Sequence, residues 1–110
     1  MEIHYPNKKV QKLFSTEKEL NAKFGHLAKS IQRRLTQIEA AETLQQLHKD
    51  MPGLRIHEYQ GREKGKLSID VSGHVRLLFQ PTDPPPLKED TGLDWAQITS
   101  IVILEVTDPH

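Results

Sequence analysis

The sequence predicts an α+β domain in which N-terminal helices pack on one face of a small, mainly antiparallel β-sheet. Three observations carry that expectation. Up to about residue 50 the apolar residues recur every three or four positions, the period of an amphipathic helix. From Leu54 onward they recur every second position, the period of a half-buried strand. Helices come first and strands follow with short turn sequences between them, which is the order of an α+β meander and not of alternating β–α–β units. A chain of 110 residues suits one domain, taken here as 1–110.

Element by element, the stretch EIHY (2–5) alternates and reads as a short first strand. Pro6 suits the first turn of a helix, and NKKVQKLF (7–14) is a short helical piece with Val10, Leu13 and Phe14 on one side. Thr16 and Glu19 stand at capping-box spacing. Leu20, Phe24, Leu27, Ile31, Leu35 and Ile38 then mark an amphipathic helix, weakened at Gly25, where a break fits. AAETLQQLHKD (40–50) continues helically until Met51-Pro52-Gly53 ends it.

In the strand half, Leu54 and Ile56 alternate with Arg55, His57 and Tyr59. After the turn GREKG (61–65), Leu67, Ile69 and Val71 alternate with Lys66, Ser68 and Asp70. A three-residue turn at Ser72-Gly73-His74 pairs Val71 with Val75, Ile69 with Leu77, Leu67 with Phe79 and Asp70 with Arg76. That register turns every apolar residue toward the helices and leaves His57, Lys66, Ser68 and Arg76 on an open face. Residues 80–97 lack a period, and loops of that length are commonly functional. Pro84-Pro85-Pro86 reads as extended polyproline, and Trp95 as the anchor of the loop's return. The last strand, roughly Ile98 to Val106, is apolar on both faces and is expected inside the sheet.

Composition narrows the function. Charged residues make up 27% and apolar residues 35%, a globular balance. No apolar run approaches the ~20 residues that span a bilayer, and MEIHYPNKK has no signal core, so a cytoplasmic protein without membrane contact is expected. Without cysteine there is no disulfide, thiolate nucleophile or cysteine-ligated zinc. The six histidines show no ligand spacing, and neither a phosphate-binding glycine loop nor a nucleophile elbow occurs. Neither metal nor cofactor is therefore expected. The formal charge is zero but uneven. Lys8, Lys9, Lys12, Lys18, Lys23, Lys29, Arg33 and Arg34 dominate residues 8–38, whereas acids dominate after residue 80.

What remains is the open face, together with the terminal run ILEVTDPH (103–110), where a buried strand delivers Asp108 and His110. Metal-free RNA cleavage uses such groups. Histidine can take the proton of the 2′-hydroxyl or return one to the 5′-oxygen, and arginine can hold the phosphate. Each residue also has a plainer role: Arg76 as the partner of Asp70, His57 as an exposed strand residue, His110 as a chain end.

The stretches GLRIHEYQGREKGKLSIDVSGHVRLLFQP and KEDTGLDWAQITSIVILEVTDPH resemble the plasmid-maintenance killer proteins, which are HigB-like toxins of the RelE/ParE superfamily. FGHLAKSIQRRLTQIEAAETLQQL is similar to that family's helical part. The likeness runs from about Lys8 to His110. It implies a toxin of a type II toxin–antitoxin pair, an endoribonuclease that cuts translated mRNA on the ribosome. Its implied partners are the ribosome, mRNA and a cognate helix-turn-helix antitoxin, with DNA reached only through the antitoxin. It further implies catalytic roles for His57, Arg76, Asp108 and His110, and RNA contacts for Arg62, Lys64 and Lys66. The sequence departs from the family at Pro109, where tyrosine is usual; proline can neither stack on a base nor donate a hydrogen bond. Two other readings of the same fold stay open: a noncatalytic toxin such as a gyrase poison, and an antitoxin-binding co-repressor that has lost nuclease activity.

Overall fold

The computed structural model of the chain describes residues 1–89 and 92–108. Strand β1 (Glu2–His4) is followed by α1 (Lys8–Ser15), α2 (Glu17–Phe24), α3 (Ala28–Ala40) and α4 (Leu44–Asp50). Then come β2 (His57–Glu58), β3 (Leu67–Ser72), β4 (Val75–Pro81) and β5 (Ser100–Thr107). The five strands form one sheet in the order β1-β5-β4-β3-β2. Every neighbouring pair is antiparallel except β1 and β5. The α+β architecture with a mainly antiparallel sheet is therefore as expected, with the last strand internal.

The core lies between the helices and one sheet face. Leu20, Ile31, Leu35 and Ile38 from the helices bury against Leu67, Ile69, Leu77, Phe79, Ile101 and Ile103, and Phe24 and Leu27 pack at its margin. The Met1 nitrogen donates to the carbonyls of Ile38 and Glu39, 3.1 Å each, which ties the start of β1 to the end of α3.

Local chemistry decides where the helices begin and end. Helix α1 starts after Asn7 and not at Pro6, because the Asn7 side chain accepts from Val10 N at 2.9 Å. Thr16 stands at the N-cap of α2 without a side-chain cap bond, and Glu19 pairs with Lys12 at 3.7 Å, so the capping box does not form. Gly25, at φ +56°, breaks the long amphipathic segment into α2 and α3. The chain then leaves the helix at Ala41 to Thr43, where continuous helix was expected. Thr43 restarts it as the N-cap of α4, its hydroxyl accepting from Gln46 N at 3.0 Å.

Two corrections concern the strands. The first strand of the meander is only His57–Glu58. Leu54 closes a 3-10 turn and Arg55 is left-handed at φ 49°, so Leu54 and Ile56 precede the ladder. In the β3–β4 hairpin the pairs Leu67–Phe79, Ile69–Leu77 and Asp70–Arg76 form as read, but Ser72, not Val71, faces Val75. The turn shortens to Gly73-His74, with Gly73 at φ +57°, and the extra residue becomes a bulge at Val71. Arg34 of α3 meets the carbonyls there, donating from Nε to Asp70 O at 2.7 Å and from Nη2 to Val71 O at 3.4 Å. A second bulge, at Leu104, shifts the register between Leu78–Glu105 and Phe79–Ile103.

The long loop after β4 returns as expected through Trp95. Its indole donates to Glu58 Oε1 at 2.7 Å and meets the His48 ring edge-on, centroids 5.2 Å apart.

Candidate active site

The sheet face away from the helices carries a connected set of side chains around Asp70 and Ser68. Asp70 pairs directly with Arg76 across the β3–β4 ladder, and its other carboxylate oxygen accepts from Arg55 Nε. Arg76 is heavily engaged. Its Nε donates to Ser68 Oγ at 2.7 Å, Nη1 to Asp70, and Nη2 to the carbonyls of Arg55 at 2.6 Å and Ser68 at 3.1 Å. Tyr59 O–H donates to the same Ser68 Oγ at 3.1 Å. Ser68, expected on an open surface, is therefore completely buried beneath Arg76 and Tyr59.

His57 lies on the edge strand, opposite Ser68 and exposed. Its ring meets Tyr59 edge-on, centroids 4.6 Å apart and planes at 85°. Arg55, Ile56, His57, Tyr59 and Arg76 line an open pocket of about 420 Å³. Two guanidiniums against one carboxylate leave a net positive charge beside an imidazole, a combination that suits a phosphodiester. The two arginines differ. Arg76 is largely buried, and among the described residues four of its five N–H groups are committed to protein, whereas the Arg55 side chain is 68% exposed and bonds Asp70 there through Nε. That contact also raises the Arg55 pKa above its usual value, chiefly through the hydrogen bond to Asp70.

The remaining expected residues are distributed around this centre. Arg62 and Lys64 are exposed in and just after the turn Gly61–Glu63. Lys66 pairs with Glu63 at 2.6 Å. Asp108 is exposed and follows β5 where Thr107 pairs with Arg76. His57 is three strands across, opposite Ser68, which puts the backbones of His57 and Thr107 roughly 15 Å apart at ordinary strand spacing. The structure thus brings together His57 and Arg76 and sets Asp108 at the Arg76 end of the sheet. Pro109 and His110 lie outside the described residues. No group of three or more metal-ligating side chains occurs among the described residues, and no helix among them is long and apolar enough to cross a membrane.

Sequence reading passed over Arg55 and Tyr59 as site residues. Their alternation with His57 was the available signal, an aromatic and a guanidinium each two positions from the imidazole. A roomier cleft of about 1040 Å³ between β1, α1 and α3 is lined by Glu2, Tyr5, Gln32 and Glu39 among others, but by no Lys or Arg side chain.

A sequence model of RelE-like toxins of the type II toxin–antitoxin system HigB matches residues 3–88. The chain belongs to this family. The matched region runs from β1 through β4 and contains His57, Arg62, Lys64, Lys66 and Arg76, but stops before Asp108 and His110. Membership makes the chain the toxin of a toxin–antitoxin pair, with an antitoxin as its partner. No curated protein matches the sequence.

Proposed function

We propose that this HigB-like toxin is a metal-free endoribonuclease that cuts mRNA on the translating ribosome and is neutralised by a helix-turn-helix antitoxin. The observation that carries the reading is the exposed His57 imidazole sharing one pocket with Arg55 and Arg76 on an open sheet face. In this reading His57 takes the proton of the 2′-hydroxyl, or returns one to the leaving 5′-oxygen. The 2′-oxygen attacks phosphorus, the bond to the 5′-oxygen breaks, and a 2′,3′-cyclic phosphate results. Arg55 meets the phosphate directly. Arg76 adds its fixed charge. His110 is the complementary proton carrier, and Asp108 is the residue that orients it. Arg62, Lys64 and Lys66 hold the RNA backbone.

The test is cleavage of mRNA on purified translating ribosomes. Replacing His57 by Gln lowers the rate by roughly 10²–10⁴ if the imidazole transfers a proton. A folded His57→Gln chain that cuts at the full rate would remove the central residue from the mechanism.

The engagement of Arg76 favours a second reading, a toxin of the same fold without nuclease activity. Its signature is growth arrest with intact mRNA and altered DNA topology, or no growth arrest at all in a chain that still binds its antitoxin.

A further inference from the structure

His57 sits on a thinly supported part of the sheet. Strand β2 is the edge opposite β1 and has two residues, His57 and Glu58, paired with Ser68 and Leu67. One more backbone bond, from Tyr59 N to Lys66 O at 3.0 Å, prolongs the ladder. The left-handed Arg55 precedes it and the turn Gly61–Glu63 follows. A ladder this short opens locally unless something else holds it. Successive strand residues point to opposite faces. His57 takes the open face, so Glu58, opposite the fully buried Leu67, turns toward the helix side. There it meets the loop that joins β4 to β5. Its Oε1 accepts from Trp95 Nε1 at 2.7 Å, and its Oε2 accepts from Leu93 N at 3.3 Å.

The loop end of this tie is firmly seated. Leu93 is buried in the core, and Trp95 packs against that core. Between them, Asp94 N donates to Pro86 O at 2.9 Å, and Asp94 Oδ1 accepts from Ala96 N at 3.3 Å. The carbonyl of the buried Ile98 accepts from Leu44 N at the start of α4, 3.1 Å away. The edge strand is thus the part that yields, and the loop is the part that holds. We propose that Glu58 is a positioning residue, which clamps β2 to Trp95 and Leu93 and so holds the His57 imidazole in place for proton transfer. The proposal rests on reading the His57 pocket as the cleavage site. His57 and Glu58 are neighbours on one short strand, so a twist of β2 that frees Glu58 also carries His57 out of its edge-on contact with Tyr59. The charged acceptor makes the two bonds of the clamp stronger than neutral ones. A misplacement of about 1 Å can cost roughly 10²-fold in rate. Glu58 is not among the residues that line the pocket, so its loss should act on the rate and not on RNA binding.

The experiment compares the full chain with Glu58→Ala, Glu58→Gln and Trp95→Phe. Alanine removes both bonds, glutamine keeps an oxygen for the indole, and phenylalanine keeps a ring but removes the donor. NMR first follows amide hydrogen exchange and the His57–Tyr59 ring contact. In Glu58→Ala, exchange at Tyr59 N–H should speed up roughly 10- to 100-fold, the worth of a hydrogen bond to a charged group. Exchange at the amides of β4 and β5 should stay as it is, and the ring contact should weaken. Cleavage of mRNA on purified translating ribosomes is then measured. In Glu58→Ala, kcat should fall roughly 10- to 100-fold with KM nearly unchanged. Trp95→Phe should move in the same direction by less, because the bond to Leu93 N remains, and Glu58→Gln should recover most of the rate. Unchanged exchange at Tyr59 in Glu58→Ala overturns the clamp. Faster exchange there with cleavage at the full rate overturns the positioning role. Exchange that rises equally across β4 and β5 makes Glu58 a general stabiliser and overturns it too. If the natural chain cuts no mRNA, the nuclease reading falls and takes the proton-transfer role with it, while Tyr59 exchange and the ring contact still decide whether Glu58 holds His57.

Discussion

Replacing Arg76 by Ala should destabilise the fold itself, whatever it does to RNA. Arg76 and Asp70 are only 17% and 15% exposed, so their contact is poorly screened by water. The substitution removes the hydrogen bonds to Asp70, Ser68 Oγ and the carbonyls of Arg55 and Ser68. One hydrogen bond to a charged partner contributes about 1.5–3 kcal/mol, and breaking a fully buried ion pair costs about 3–5 kcal/mol. Arg55 still meets Asp70 after the change, and Tyr59 still meets Ser68, so the loss should fall near 2–3 kcal/mol, roughly 10–20 °C in Tm for a domain of this size. Arg76→Lys keeps a charge for Asp70 but cannot reach Ser68 and the Arg55 carbonyl together, so about 1–2 kcal/mol should go. Urea denaturation with an unchanged m-value is the assay. A double-mutant cycle with Asp70→Asn should return a coupling of about 1–2 kcal/mol. An Arg76→Ala chain within about 0.5 kcal/mol of the natural one, the scatter of an ordinary surface change, would refute Arg76 as a structural tie.

Three further outcomes follow from the fold. Thr43→Ala removes the side-chain cap of α4 and should cost about 1 kcal/mol in urea denaturation. Gly73→Ala meets no atom within 4 Å but holds φ at +57°, so backbone strain alone should cost roughly 1–2 kcal/mol, and Gly73→Asn, which tolerates that region better, less. The Tyr5 pKa is raised above its ordinary value of 10.0, mainly by burial against the helices. The folded state therefore keeps the phenol proton longer than the unfolded chain does. The resulting stability is fully present below pH 10.0 and is lost as pH rises through the folded value; unfolding curves above that pH should flatten in Tyr5→Phe.

The sequence carried the fold where one physical signal dominated. Alternation alone placed Ile69 opposite Leu77 and Asp70 opposite Arg76, because a one-residue slip there would turn Leu67, Ile69 and Val71 to water. It failed where local hydrogen bonding competed with the pattern. The hydroxyl of Thr43 stops one helix and starts another, and a left-handed Arg55 shortens a strand whose alternation looked intact. The open face was legible as a set of residues but not as a network. Parity put Ser68 and Arg76 on one side, yet nothing in the spacing said that Tyr59 would close over Ser68, or that Arg55 would share Asp70. Those contacts depend on side-chain reach, and the two bulges were missed for a different reason: a bulge is invisible to periodicity because it adds a residue without changing composition.

The sheet is also completed out of chain order. Strand β5 is the last element, yet it lies between β1 and β4, with Ile101 opposite Ile3 on one side and Pro81 on the other. A nascent polypeptide that has reached only residue 99 has a β1 with no partner and a β4 with one bare edge, and Phe79 lacks its neighbour Ile103. Contacts this distant along the chain close late and slowly. Thr107, which pairs with Arg76, comes from the same strand, so an interrupted translation product would possess His57 and Arg76 but not the strand against which Arg76 is laid.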